Sequence, residues 1–513
     1  LSGNNPTVSS FWIESTAETG YPQLEGDIEV DIAVVGAGIT GITTAYLLKQ
    51  AGKRVALLEM KRVARGATGY TTGKVTAGHN LIYAFLERRF GEDGARKYAQ
   101  ANQAAIEKTH SLVDELGIDC DLETKANYAY AEKPESVPQI EAEVAAANRA
   151  GLSATFVRET PLPFQVTGAI RIDDQAQFHP RRYLLPLVEQ VAGDGSFVFE
   201  KTRVRDVRHG TPCTVEVDSG SVRAGAVVLA THLPFEDQGL LFTKAHPHRS
   251  YAIAGRVDAA SAPDGMFISV DQPTRSLRTT PHEGGLLLIV GGEGHKTGQA
   301  EDTRVPYRRL KEWASERFHL DDFPYQWATH DYTSVDRVPF IGRLVPWRSD
   351  VWVATGYGKW GMTNGTAAAQ LIADRLLGRE KDWADLFAPH RTRSFASRSF
   401  AAENANVAKR FFADRIGLPG GERLEALDRG EGSLVRIQGN TLAVSRSEDG
   451  LLTAVSPRCT HLGCLVSWNR AEQTWDCPCH GSRYLADGTL IQGPAVTDLP
   501  RRDLPQAGAA SAR

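Results

Sequence analysis

Four of the six cysteines crowd into a short stretch near the C-terminal end, in the segments Cys459-Thr460-His461-Leu462-Gly463-Cys464 and Cys477-Pro478-Cys479-His480-Gly481-Ser482. A Cys-x-His hook and a Cys-x-x-His hook, with fifteen residues between them, present two thiolates and two imidazoles. That donor set suits two kinds of centre. One is a tetrahedral zinc; the other is a two-iron, two-sulfur cluster with two Cys on one iron and two His on the other. A four-ligand zinc site leaves Cys464 and Cys479 without a role. In a cytosolic chain, thiols concentrated this way favour a metal over a disulfide framework. Cys120 and Cys213 stand apart and read as ordinary thiols.

Both segments resemble, nearly letter for letter, the two boxes of the Rieske proteins of cytochrome bc complexes. The resemblance implies Cys459 and Cys477 on one iron, His461 and His480 on the other, and Cys464 joined to Cys479 as a loop disulfide. It also implies that Ser482 and Tyr484 donate hydrogen bonds to the cluster and ligand sulfurs, which stabilises the reduced state and raises the potential. The chain departs from the family at the covering loop. Gly493-Pro494-Ala495-Val496 stands where Gly-Pro-x-Pro is usual, so a looser lid is expected.

A second chemical signature lies near the other end. Gly36-Ala37-Gly38-Ile39-Thr40-Gly41 follows an apolar run and opens a helical pattern, with Glu59 ending the next apolar run. Gly36 permits the turn, Gly38 lets backbone approach a pyrophosphate, and Gly41 lets helix and strand pack closely. The helix N-terminus faces the phosphate charge, and Glu59 accepts from a ribose hydroxyl. With Arg65-Gly66-Ala67-Thr68-Gly69, with Asp336, Pro339, Ile341 and Gly342, and with residues 351–365, this resembles the D-amino-acid oxidase and glycine oxidase superfamily of FAD enzymes. The resemblance spans roughly residues 28–380. It implies FAD held by Gly36, Gly38, Ile39, Thr40, Gly41, Glu59, Thr68, Thr72, Gly342, Gly356, Gly358, Gly361 and Met362. Residues 71–79 (TTGKVTAGH) and 291–298 (GGEGHKTG) are similar to the bacterial subgroup that fuses such a flavoprotein to a Rieske domain.

The layout of that superfamily places Lys74 and His79 near the isoalloxazine, where a cation stabilises developing charge or polarises a substrate. The plainer reading of both is a polar loop residue paired with phosphate or carboxylate, and His79 is also a possible covalent attachment point. Substrate carboxylates in the superfamily commonly meet Arg and Tyr. Arg249, Tyr251, Arg278, His330 and Tyr332 are the candidates here, each also readable as structural. Lys359 and Trp360 lie in the Gly358 to Gly361 turn expected beside the flavin ring, although Trp360 also suits plain core. A rival reading takes Gly292-x-Gly294-x-x-x-Gly298 as a pyridine-nucleotide site. The residues that follow are polar and break at Pro306, so the helix such a site needs is missing.

These residues need elements to hold them. The patterns predict strand, turn and helix over Asp31 to Gln50 and a second strand over Arg54 to Leu58, one β-α-β unit. A long amphipathic helix is expected over 94–116. Buried strands are expected at 226–230, 286–290 and 351–355, and a helix at 366–377. The fold class implied is a Rossmann-like α/β FAD domain with an interleaved α+β substrate domain, followed by an all-β Rieske domain. FAD-binding parts are placed at 28–110, 165–245 and 335–378, and substrate parts at 111–164 and 246–334. A linker with one helix is placed at 379–423, the Rieske domain at 424–505 and a disordered tail at 506–513.

At 513 residues the chain is too long for one core. With 58 Lys plus Arg against 62 Asp plus Glu, the charge offers no reason to invoke nucleic acid. No membrane-length apolar run and no signal pattern stand out, so the cytoplasm is the expected location. The leading functional expectation is a dehydrogenase of a small organic substrate, amine or amino acid favoured. Hydride goes to FAD, and electrons then pass to the Rieske cluster and to an external acceptor protein or quinone-linked chain. The alternative is an NAD(P)H- or carrier-linked electron-transfer module without its own organic substrate. A Rieske oxygenase is disfavoured, since no His-x4-His pair with a nearby carboxylate is present to hold a mononuclear iron.

Overall fold

The computed structural model describes residues 7–504 apart from 349, 396, 417–423, 425 and 426. It divides into two compact units, Leu1–Gly294 with Val305–Ser397, and His295–Arg304 with Arg398–Arg513. The expected tail at 506–513 and the end of the expected linker, 417–423, lie outside the described residues.

The first unit is built on two sheets. One runs in the order Phe340–Arg343, Val351–Thr355, Gly220–Leu229, Gly26–Val35, Val55–Leu58, Phe197–Phe199, with the hairpin Val204–Arg208 and Cys213–Val217 attached to Gly220–Leu229. Its central pairs are parallel. Parallel strands are covered on both faces, which is why Val55–Leu58 and Val351–Thr355 are buried at every position instead of alternating. Two helices, Ile39–Gln50 and Gly361–Leu376, follow strands of this sheet and pack against each other. Gly365 permits that approach, because a Cβ there would come within 2.9 Å of both Ile39 Cγ2 and Thr40 Oγ1.

The second sheet has ten strands. Its main path is Thr7–Val8, Tyr325–Ser334, Ala245–Val257, Gly285–Lys296, Arg275–His282, Met266–Ser269, Glu123–Ala131, Gly168–Gln177, Lys74–Val75. Two of these strands come from stretches expected to bind FAD. Gly168–Gln177 pairs with Glu123–Ala131 on one side and with Lys74–Val75 on the other, so both lie in this sheet. Alternating apolar residues mark a strand but carry no information about which sheet it joins.

The long helix starts earlier than expected, at Tyr83, and runs to Leu116. Gly91 interrupts it with φ 78°, so the regular apolar stripe begins only beyond that break. Part of the expected linker is not linker. Trp383, Leu386 and Phe387 are buried in the first unit's core, and Arg391 forms a two-pronged pair with Asp336 at 2.7 and 2.8 Å. The glycine run at 291–298 lies mostly in the strand Gly285–Lys296, and the next helix, Val305–Phe318, opens well after it. No phosphate-binding helix terminus follows the run.

The second unit has a three-stranded antiparallel sheet (Gly432–Ile437, Asn440–Arg446, Leu452–Val455) and a four-stranded one (Ser467–Asn469, Thr474–Asp476, Arg483–Leu485, Leu490–Gln492). The helix Arg398–Ile416 precedes them. Among the described residues no helix is long and apolar enough to cross a membrane.

Candidate functional site

The nucleotide cradle is set by close backbone contacts. Gly36 has φ 99°, and a Cβ there would stand 2.6 Å from Ala230 O; at Gly41 it would stand 1.8 Å from Gly36 O. A Cβ on Gly38 would come 3.1 Å from Thr68 Oγ1, which itself accepts from Ile39 N at 3.2 Å. Neither helix of the pair has a side-chain cap at its N-terminus, a state that suits an anionic ligand. Glu59 accepts from Ala37 N and Lys61 N, both at 2.9 Å, and burial raises its carboxyl above the ordinary value. Thr40 Oγ1 meets Tyr357 OH at 2.8 Å and ties the cradle to the segment Gly356 to Met362. Gly356 and Gly358 both have positive φ, 81° and 59°, and Met362 is buried in the following helix. Gly342, φ 142°, lets Pro389 approach. Thr72 lies beside Gly291. These residues fit a dinucleotide.

The catalytic and substrate candidates fall into three groups. The first lies on adjacent antiparallel strands, where Arg249 is opposite His330 and Pro247 opposite Tyr332. Side chains two apart share a face, so Arg249 and Tyr251 stand together, as do His330 and Tyr332. All four are buried. The Arg249 guanidinium lies 5.7 Å from the Tyr251 ring, and the His330 and Tyr332 rings meet edge-on at 5.4 Å. The structure adds three residues that the sequence reading passed over. His232 stacks on His330 at 5.6 Å and meets the edge of Tyr332 at 4.7 Å. Asp331 accepts from His232 Nε2 at 2.8 Å and from the Lys359 backbone N at 2.5 Å, which steadies Lys359 at φ 76°. His248 and Lys359 both flank Gly294: a Cβ there would stand 2.6 Å from His248 Cε1 and 2.9 Å from Lys359 Nζ. Burial lowers the Lys359 amine to about 8, with Asp331 pulling the other way.

A signal for His232 was present in the sequence. It sits just past the carboxyl end of Gly220–Leu229, the edge at which parallel sheets of this kind meet their ligands.

His79 and Trp360 form the second group, stacked at 4.6 Å. His79 Nδ1 bonds Tyr98 OH and its Nε2 bonds Thr76 O, both at 2.7 Å. Burial pushes the imidazole down to about 3, so it is neutral, not the cation its position suggested. Lys74 and Arg278 form the third group, and neither joins the first. Lys74 Nζ donates to Phe267 O at 2.6 Å and Ser276 Oγ at 2.7 Å, and burial holds its amine well below the ordinary value. Arg278 donates to the carbonyls of Gly73 and Phe178 at 2.8 and 3.0 Å and lies over the Trp12 ring. Arg278 thus engages the loop 71–79 at Gly73, while Lys74 ties the same loop to the strands that carry Phe267 and Ser276.

In the second unit the two cysteine boxes come together. Cys464 and Cys479 are disulfide-bonded, while Cys459 and Cys477 are free and buried. Three sulfurs, Cys464, Cys477 and Cys479, lie mutually within 4.8 Å, but two of them are spent on the disulfide and cannot ligate. The donors left are Cys459, Cys477, His461 and His480, and the two imidazole rings sit 5.0 Å apart, edge to face. Tyr484 OH lies 3.2 Å from Cys459 Sγ. Hydrogen bonds from Cys477, Tyr484, the His461 N–H and Ser482 hold the Cys459 thiol down, and Cys477 is correspondingly pushed up. Ser482 Oγ also accepts from Ala495 N of the covering loop at 3.0 Å. Two thiols and two imidazoles with hydroxyl donors aimed at sulfur fit a Rieske cluster.

Comparison with known proteins agrees on both units. The FAD dependent oxidoreductase family model matches residues 31–375, and the Rieske 2Fe-2S domain model matches 422–503. A Rieske 2Fe-2S iron-sulfur protein of Bacillus subtilis (strain 168), YhfW, is 37% identical over 96% of this chain and 97% of its own. The gamma-glutamylputrescine oxidoreductase of Escherichia coli (strain K12) is 25% identical over 75% of this chain and 92% of its own. Among solved structures, glycine oxidase from Geobacillus kaustophilus aligns with TM-score 0.60 at 19% identity, covering 71% of this chain and 99% of that one. L-proline dehydrogenase from P. horikoshii aligns with TM-score 0.58 at 18% identity, covering 72% and 98%. The cradle, the cluster donors and these matches agree: the chain belongs to the FAD dependent oxidoreductase family and carries a Rieske 2Fe-2S domain toward its C-terminal end.

Proposed function

We propose that the protein is a cytoplasmic dehydrogenase of a small amine or amino acid that passes its electrons through the Rieske cluster to an external acceptor. The observation that carries the reading is the strand pair that buries Arg249, Tyr251, His330 and Tyr332 and, through Asp331 and His248, holds Lys359 beside Gly294. An electron shuttle has no use for so many polar side chains in one buried place, whereas a carboxylate-bearing substrate does. The gamma-glutamylputrescine oxidoreductase relative supports the amine side of the reading, and the glycine oxidase and L-proline dehydrogenase folds are compatible with an amino acid.

When bound, FAD supplies a hydride acceptor and the 2Fe-2S cluster a one-electron carrier. The chain's own residues do the rest. The Lys359 ammonium holds the substrate carboxylate, and the buried Arg249, Tyr251, His330 and Tyr332 fix the strand pair that carries His248 and Asp331 beside it. Asp331 fixes both His232 and the Lys359 backbone, so Lys359 keeps its place before substrate arrives. The stacked His79 and Trp360 pair forms a neutral wall that excludes water. Lys74 and Arg278 hold the loop between them and the cradle.

The test is anaerobic titration of the holoenzyme with amines, amino acids and NAD(P)H, read separately at the flavin and cluster bands. An amine or amino acid is expected to bleach the flavin first and the cluster afterwards. Bleaching by NAD(P)H alone would overturn the reading in favour of an electron-transfer module.

A further inference from the structure

The glycine run that ends at Gly298 does not open a helix, yet its last residues have a place. Residues 295–304 belong to the second unit, although they lie far from the Rieske match at 422–503 in the chain. Gly298, φ 67°, lies against Pro478, the residue between Cys477 and Cys479. A Cβ on Gly298 would stand 3.0 Å from both the Cα and the N of Pro478 and 3.2 Å from Asp476 O, all backbone atoms that cannot turn aside.

Thr303 makes the second attachment. It is buried, its hydroxyl donates to Asn469 Oδ1 at 2.8 Å, and it accepts from Ala471 N at 2.9 Å. Asn469 Nδ2 donates in turn to Asp476 Oδ2 at 3.0 Å, and Asp476 Oδ1 accepts from Arg483 Nε at 3.0 Å. The last two residues of this chain of bonds adjoin the cluster site in sequence. Asp476 precedes Cys477, and Arg483 precedes Tyr484, whose hydroxyl reaches Cys459 Sγ. At the rim, Lys296 pairs with Glu403 at 2.8 Å and Arg304 with Glu431 at 3.6 Å.

We propose that residues 295–304 are a positioning segment of the iron-sulfur centre, with Gly298 and Thr303 holding the second cysteine box where Cys477 and His480 must ligate. The Rieske domain of this chain is therefore completed by a segment that comes before it in sequence by more than a hundred residues. Groups that orient metal ligands from behind govern both retention and electronic properties of the metal, so the segment acts on the cluster without touching it.

The experiment uses the full chain loaded with both cofactors. Thr303→Val keeps the shape and removes the hydroxyl; Thr303→Ser restores it. In Thr303→Val the EPR g-values and the midpoint of the reduced cluster are expected to shift, and iron is expected to be lost to a chelator about tenfold faster. Thr303→Ser is expected to match the wild type, and flavin content and flavin bleaching are expected to stay unchanged in both. Gly298→Ala, which pushes against Pro478, is expected to move the same cluster readouts and supplies them should Thr303→Val fail to fold. Wild-type EPR, midpoint and iron retention in Thr303→Val or in Gly298→Ala would overturn the proposal. So would a Thr303→Ser variant that behaves like Thr303→Val.

Discussion

At the scale of single residues, burial determines what the charged groups do. His79 and Lys359 sit two residues or fewer from glycine turns of the kind expected beside a flavin, yet burial leaves one neutral and the other near its titration point. The Lys359 amine falls from 10.5 to about 8, so its ammonium is present below pH 8 and lost as pH rises through that value. If the ammonium holds the substrate carboxylate, kcat/KM falls above pH 8, and Lys359→Met removes this alkaline limb while lowering kcat/KM at neutral pH. A limb that survives the substitution would discount the role. Tyr484 offers a second case. Its hydroxyl donates toward Cys459 Sγ at 3.2 Å, a bond that favours the reduced, more negative cluster. Tyr484→Phe is expected to lower the cluster midpoint with iron content kept, as read by potentiometric EPR titration; an unchanged midpoint would contradict it.

At the scale of elements, the cradle depends on contacts that admit no side chain. Gly41→Ala puts a methyl 1.8 Å from Gly36 O, where neither the strand end nor the helix start can give way without opening the turn. Overpacking of this kind costs about 1–3 kcal/mol or more, and the variant is expected to purify without flavin absorbance while its cluster spectrum persists. A normally flavinated Gly41→Ala would refute the close contact. The β-α-β unit was legible in sequence because apolar runs, glycines and Glu59 come in a fixed local order. The strands Ala245–Val257 and Tyr325–Ser334 were harder. Each was visible only as scattered candidates, and it is their antiparallel register that sets Arg249 opposite His330.

At the scale of the whole molecule, two redox centres of different electron count share one chain. This division of labour predicts that they separate functionally. A Cys459→Ser variant loses a cluster ligand, and its flavin is still expected to be bleached by substrate. Reduction of a one-electron acceptor protein is expected to drop to background. Anaerobic flavin reduction and acceptor turnover, measured side by side, check this; undiminished acceptor turnover would show that the cluster is off the route. Net charge near balance, 58 basic against 62 acidic residues, gives little long-range steering of a charged partner.

Both cofactor sites could be read from the chain before folding because their donors are local. Cys459 to Cys464, Cys477 to Ser482 and Gly36 to Gly41 each lie within a few residues, so their chemistry is written in spacing. The disulfide partner of Cys464 was implied by likeness and is formed in the structure. Groups gathered from distant segments were not legible. His232, Asp331 and Lys359, with His248 across Gly294 from Lys359, come together only through the pairing of segments far apart in sequence, and Lys74 and Arg278 spend their donors on carbonyls and a serine hydroxyl that no motif announces. Residues 295–304 are the plainest case. Their glycines suggested a nucleotide loop only as a rival reading that the following polar residues and Pro306 disfavoured, and it took folding to place them behind the second cysteine box, because what a glycine is for depends on which backbone comes to lie against it.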